Sequence, residues 1–325
     1  MIHRRTFVSS LAVALTLAPW ASWSADDRPV HIGVLGVGAG AVPHVFRAFR
    51  ERLSDLGYVD GQTVAIDLRY ANGRLERLPD LLAELIALRP AAIVVVGPYA
   101  LKIAHAAAPS VPLIAIDFES DPVAAGFVAS FARPGGHITG TFLDQADLSG
   151  KWLQLLKETN PQVTRAGVVW DSSTPSYQLD AIKVGARSIA VELQTLTIRT
   201  RDDLRDAFGS AARARAQAVV VLSSPLVSSS GALLANLSVT RHLPTISMFR
   251  ENVTEGCLMA YGPSLVEGWQ RLGSFAGRVL KGAKPADLPI ERQTTFELVI
   301  NLKTARQLGL TIPPSVLARA DQVIE

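Results

Sequence analysis

The chain has 325 residues, 48% of them hydrophobic, which is enough to bury two sizeable cores. Its formal charge is +3, from 32 basic and 29 acidic side chains, and setting aside Arg4 and Arg5 near the N-terminus leaves 30 against 29. So even a balance, with no long run of like charge, excludes nucleic acid or an anionic membrane as an electrostatically recruited partner.

The first predicted element is a leader. Met1–Arg5 is basic, Val8–Trp20 is apolar but too short to span a bilayer, and Ser22, Ser24 and Ala25 offer small residues for cleavage, so residues 1–25 read as a signal peptide. Arg4 and Arg5 followed by Thr-Phe-Val suit the twin-arginine route as well as the Sec route, and either one carries the mature chain to the periplasm. No later stretch is long and apolar enough for stable membrane insertion. The single cysteine, Cys257, permits no internal disulfide and lies far from the cleavage site where a lipid anchor would be attached; it reads as a small buried apolar residue.

Beyond the leader, short β-branched runs alternate with helical patterns. Strands are predicted at Val30–Gly36, Thr63–Tyr70, Ala92–Val96, Leu113–Asp117 and Ile138–Phe142, then at Arg165–Trp170, Glu192–Thr197, Ala218–Leu222, Thr245–Met248 and Leu258–Tyr261, with a late one at Glu297–Asn301. Their continuous apolar character suits sheets covered on both faces. Val45, Phe46, Phe49, Leu53 and Leu56 fall on one helical face ended by Gly57. Helices are also predicted at Leu75–Leu88, at Leu204–Ala214 behind a near capping box at Thr200–Asp203, and at Leu265–Lys281. Strand starts recur at the length of one βα unit, so the fold class is α/β, with two doubly wound parallel-sheet lobes. Beyond what periodicity gives, residues 133–148 should cross to the second lobe, helix 265–281 should return, and strand 297–301 should cross again. The lobes are then 30–142 plus 264–292, and 143–263 plus 293–325, joined by a three-segment hinge.

In open α/β sheets ligands bind beyond the carboxyl ends of the strands. The loops there are Gly36–Pro43, Gly97–Leu101, Asp117–Pro122, Asp171–Ser176, Ser223–Ser230, Phe249–Glu255 and Gly262–Ser264. Gly38 and Ala39 sit in a small-residue loop whose backbone can approach a ligand closely. That loop fits G-x-G-x-x-A, but Pro43 delays the helix and strand two does not end on an acid, so a nicotinamide cofactor is not expected. Tyr99 and Tyr261 are candidate apolar walls. Asp117, Glu119 and Asp171 are carboxylates for a ligand amine, Arg250 could hold a ligand carboxylate, and Ser223 and Ser224 could donate hydrogen bonds or cap helices. No G-x-S-x-G, H-E-x-x-H or P-loop occurs, and the six histidines lack metal spacing, which favours binding over catalysis with no metal or cofactor. An exported α/β enzyme and a sensory ligand-binding protein are the alternatives.

Several strings resemble one family. They are Leu56–Gln62 (LGYVDGQ), Gly73–Pro79 (GRLERLP), Glu119–Val123 (ESDPV), Phe131–Gly136 (FARPGG), Gly150–Lys157 (GKWLQLLK), Lys281–Pro289 (KGAKPADLP), Phe296–Ala305 (FELVINLKTA) and Leu308–Pro314 (LGLTIPP). Together they resemble the ABC-transporter substrate-binding proteins of the group with tryptophan- and tyrosine-binding members. The resemblance implies a type I periplasmic-binding-protein fold with three crossovers. It also implies capture of a small molecule, such as an amino acid or a small organic acid, without reaction or cofactor, by a monomer that delivers it to a membrane permease. The chain departs from the family pattern at Gly97-Pro-Tyr99, where a Thr or Ser usually follows the glycine, and at His137, where Asn is usual.

Overall fold

The computed structural model describes residues 29–38, 40–143 and 148–325; the leader and Ala39 lie outside them. The first sheet is laid down by β1 (Val30–Gly36), α1 (Pro43–Asp55), β2 (Val64–Tyr70), α2 (Leu78–Ala87), β3 (Ala92–Val96), α3 (Pro98–Ala107), β4 (Leu113–Asp117) and β5 (Ile138–Phe142). The chain then builds a second sheet through α4 (Leu148–Thr159), β6 (Arg165–Asp171), α5 (Tyr177–Ser188), β7 (Glu192–Ile198), α6 (Asp203–Arg213) and β8 (Ala218–Val221). It continues through α7 (Pro225–Ser228), α8 (Gly231–Thr240), β9 (Thr245–Ser247), α9 (Arg250–Thr254) and β10 (Met259–Pro263). Helix α10 (Leu265–Leu280) returns to the first sheet and leads into β11 (Glu291–Arg292). The chain ends on the second sheet with β12 (Phe296–Asn301), α11 (Leu302–Gln307), α12 (Pro314–Leu317) and β13 (Gln322–Ile324).

Strand order is β11-β5-β4-β3-β1-β2 in one sheet and β13-β12-β10-β9-β8-β6-β7 in the other. The inner strands are buried throughout, as β4 and β8 show, while the edge strands β2 and β7 are partly exposed. That is the doubly wound arrangement, and it explains why the inner strands are the plainest apolar runs. One pairing differs from the expected all-parallel sheets: β10 and β12 run antiparallel. The chain reaches β12 from the other lobe and so enters this sheet from the end opposite to a βα unit. The helix expected at 75–88 is a 3-10 turn at Leu75–Arg77 followed by α2, because Pro79 has no N–H to donate and fits only the first turn of an α-helix. The near capping box is half made: Asp203 Oδ2 accepts the backbone N–H groups of Arg199 at 2.8 Å and Thr200 at 2.9 Å.

Each lobe keeps an apolar layer on its outer face. Leu78, Leu82 and Leu85 pack on Ile93 and Val95 in the first lobe, and Phe208 and Leu234 pack on Val219 and Val221 in the second. The inner layers of both lobes merge into one cluster that contains Phe49 and Trp269 from one side and Trp152 and Ile246 from the other. Helix α10 is fixed against α1, with Trp269 edge-on to Phe46 at 6.0 Å and to Phe49 at 5.9 Å. These contacts hold the N-terminal end of α10 at the gap between the lobes.

Candidate functional site

The carboxyl ends of both sheets face each other across a closed cleft. A cavity of about 80 Å³ remains between them. The first lobe contributes the β1–α1 loop at Gly38 and Gly40–Val42, Tyr70 at the end of β2, Gly97 after β3, and Phe118 and Glu119 after β4. The second contributes Pro225 and Ser228 on α7, Ser229 just after it and Phe249 before α9, while Leu265 and Trp269 enter from α10. The wall is therefore largely aromatic and aliphatic, and among the described residues Glu119 is the one carboxylic acid on it.

Glu119 is also where the lobes are tied together. Ser223 Oγ donates to Glu119 Oε1 at 2.5 Å, the Ser223 N–H donates to Gln178 Oε1 at 3.0 Å, and Gln178 Nε2 donates back across the gap to the Phe118 carbonyl at 2.9 Å. Phe118 and Phe249 meet beside this bridge with ring centres 5.6 Å apart. Beneath it Asp117, 1% exposed, accepts the backbone N–H groups of Glu119 at 2.9 Å and Ser120 at 3.2 Å and the hydroxyl of Ser120. Burial pushes the Asp117 carboxyl up to about 6, against the lowering effect of these hydrogen bonds. Burial, and then the neighbouring Asp117 charge, push Glu119 well above the carboxylate range. The two carboxyls share a hydrogen bond that favours the ionised Asp117 and the protonated Glu119. Glu119 accepts from Ser223, and its raised carboxyl donates to Asp117 whenever it is protonated, keeping further acceptor capacity. The Tyr70 hydroxyl on the same cavity is buried without a protein partner, and its pKa is raised by burial.

Of the residues singled out from sequence, Gly38 and Glu119 line the cavity, Ser223 bonds to Glu119, and Asp117 lies directly behind it. The others are engaged elsewhere. Asp171 closes its own turn by accepting from the Ser173 N–H at 2.9 Å and hydroxyl at 2.7 Å. Ser224 caps α7 through the Val227 N–H at 3.1 Å. Arg250 pairs with Glu297 at 3.1 Å and bonds to Gln322, tying α9 to β12 and β13. Tyr99 is 37% exposed on α3, and Tyr261 packs toward Phe296 with ring centres 6.0 Å apart. Cys257 is buried, and burial pushes its thiol up to about 12. Among the described residues no three His, Cys, Asp or Glu side chains are grouped to hold a metal, and no helix is long and apolar enough to cross a membrane. Sequence reasoning missed Trp269, Phe118, Phe249 and Gln178. Phe249 and Phe118 were within reach, because each directly follows a strand; Trp269 and Gln178 sit on amphipathic helices, where their periodicity reads as core.

Closure requires a glycine at position 97. Its φ of +85° disfavours any side chain, and a Cβ there would lie 2.7 Å from Pro225 Cγ across the cleft. Gly97→Ala should therefore hold the lobes apart, seen as a larger radius of gyration by small-angle scattering with ligand and a tenfold or greater loss of affinity. Adding Pro225→Ala should restore closure. A double variant as open as the single one would mean that backbone strain, not the clash, is responsible.

Comparison with known proteins agrees with this geometry. The fold superposes with a TM-score of 0.82 on a Streptococcus pneumoniae ABC domain in complex with L-Trp, at 25% identity, covering 91% of this chain and 100% of that one. Against a ligand-free, open substrate-binding protein from Clostridium difficile the TM-score is 0.61, at 22% identity and with the same 91% of this chain covered. A tyrosine-binding protein of Clostridioides difficile is 25% identical over 266 residues, which is 81% of this chain and 76% of the relative. The family model for ABC transporter substrate binding proteins matches residues 37–324, and the chain belongs to that family of solute-binding proteins.

Proposed function

We propose that the protein is a periplasmic receptor for an aromatic amino acid with a polar tip, tyrosine foremost, which it delivers to the permease of an ABC importer. The observation that carries this reading is the aromatic inter-lobe cavity with a buried carboxyl, raised by burial, and an unpartnered tyrosine hydroxyl on its wall. Phe118, Phe249 and Trp269 offer apolar walls for a ring, and a phenol can donate to Glu119 and accept from Tyr70. The names of a tyrosine-binding relative and an L-Trp complex support the same class. The cavity of about 80 Å³ is roughly half the ~150 Å³ that admits benzene, so a ring is held with the lobes slightly further apart than here.

The leader at residues 1–25 supports export, and residues 30–142 plus 264–292 would move against the remainder about the three connections. A ligand touching both lobes favours the closed form by its differential affinity, and the closed shape is what a permease would read. The protein binds its solute without transforming it and acts as a monomer in this reading. Its test is a thermal-shift screen of the purified protein against the free L-amino acids. Tyrosine and tryptophan at a hundredfold excess over Kd should stabilise the protein by about 2.7 kcal/mol, a shift of several degrees, and phenylalanine, with no polar tip, should do markedly less. Equal shifts with phenylalanine, or none with any aromatic amino acid, would end it.

A further inference from the structure

A second, outer chamber of about 410 Å³ adjoins the cavity and shares Gly40–Val42 and Ser228–Ser229 with it. It too lies between the lobes, with His44 from α1 on one side and Arg201, Gly231, Glu251, Asn252 and Glu255 on the other. Its polar groups are unsatisfied in a specific way. Asn252 is 1% exposed, yet both its amide nitrogen and its amide oxygen lack a partner. Glu251 Oε1 accepts from His44 Nε2 at 3.2 Å across the cleft, while its Oε2 is buried without a partner. Helix α8 starts at Gly231 with no side-chain cap from Ser230, and a Cβ at 231 would stand 3.0 Å from Asn252 Oδ1, so the start of the helix and the Asn252 amide are neighbours. The chamber therefore offers both halves of a receptor for a zwitterion. The free N–H groups at the start of α8, Asn252 Nδ2 and Arg201 suit a carboxylate. Glu251 Oε2 and Asn252 Oδ1 suit an ammonium. Buried polar groups left unpaired are costly, which is the physical reason to expect a polar guest there.

We infer that this outer chamber holds the α-ammonium and α-carboxylate of a free amino acid whose side chain lies in the inner cavity. The inference rests on the amino-acid reading above. It makes Glu251 and Asn252 the residues that distinguish an amino acid from an amine or an acid bearing the same ring.

The test is calorimetric titration of the purified protein with L-tyrosine, tyramine and 3-(4-hydroxyphenyl)propionate, and with L-leucine and 4-methylpentanoate. L-Tyrosine should bind at least tenfold more tightly than either analogue that lacks one charge. Glu251→Gln, nearly isosteric, should weaken L-tyrosine tenfold or more and leave 3-(4-hydroxyphenyl)propionate, which has no ammonium, within about threefold. Asn252→Ala should weaken both, and unliganded melting curves check that each variant folds. Analogues as tight as L-tyrosine, or Glu251→Gln weakening the amino acid and its deaminated analogue alike, would overturn the inference while leaving the ring site standing. If L-leucine binds and tyrosine does not, with the same Glu251→Gln contrast against 4-methylpentanoate, the chamber stands and the aromatic reading falls. Binding of no amino acid overturns both.

Discussion

Glu119→Ala should lower affinity for the proposed amino-acid ligand about 10- to 100-fold, whereas Glu119→Gln should stay within a few fold of the wild type. The first figure is the cost of losing a hydrogen bond to a buried polar group while leaving Ser223 unsatisfied, about 1–3 kcal/mol. The second follows from the direction of the shift: burial and the Asp117 charge favour the protonated carboxyl, which a carboxamide imitates by donating to Asp117 and accepting from Ser223. Isothermal titration on the three proteins decides it, and a Gln variant as weak as the Ala variant would mean that Glu119 works as an anion. The same pair sets a pH dependence. Both folded-state pKa values lie above their unfolded values, so the folded protein binds more protons than the unfolded chain and stability falls as pH rises. The loss begins near pH 4 and passes through about 6 for Asp117, and the raised Glu119 carboxyl adds to it in the same direction. Asp117 alone corresponds to about 3 kcal/mol, from a rise of 3.8 to about 6. Melting temperatures should drop between pH 5 and pH 8 in the wild type, and less so in Glu119→Gln.

Gly140→Ala should be the most damaging single methyl in the first lobe. Gly140 sits within β5 at a φ of +140°, and a Cβ there would lie 2.0 Å from the Ala115 carbonyl oxygen and 2.6 Å from its nitrogen. Ala115 is its register partner on β4, so no side chain can swing away; the two strands would have to part. We expect a loss on the order of 4 kcal/mol or more, a fall in melting temperature of about 10 °C, or failure to fold. Gly136→Ala, two residues before the same strand, meets nothing within 4 Å and should be nearly neutral. A Gly140→Ala protein that melts within two or three degrees of the wild type would contradict the packing described.

The sequence alone determined the βα rhythm, because doubly buried strands must be continuously apolar and the helices between them amphipathic. It also determined that the cleft would be built from the loops after strands, and the cavity is indeed lined by the loops at 36–43, 97–101, 117–122, 223–230 and 249–255. Strands β11 and β13 were illegible, since two or three residues carry no periodicity. Among the candidate residues, one Asp at a strand end looks like another. Only the tertiary structure set Asp117 and Glu119 against the opposing lobe and turned Asp171 back on its own turn. Likewise the return of helix 265–281 to the first lobe was expected, but only the packing of α10 against α1 brings Trp269 onto the cavity wall. Local sequence fixes what each segment can bury; which groups then meet across the gap is decided by how the lobes pack, and that is where the buried, unpaired polar atoms arise.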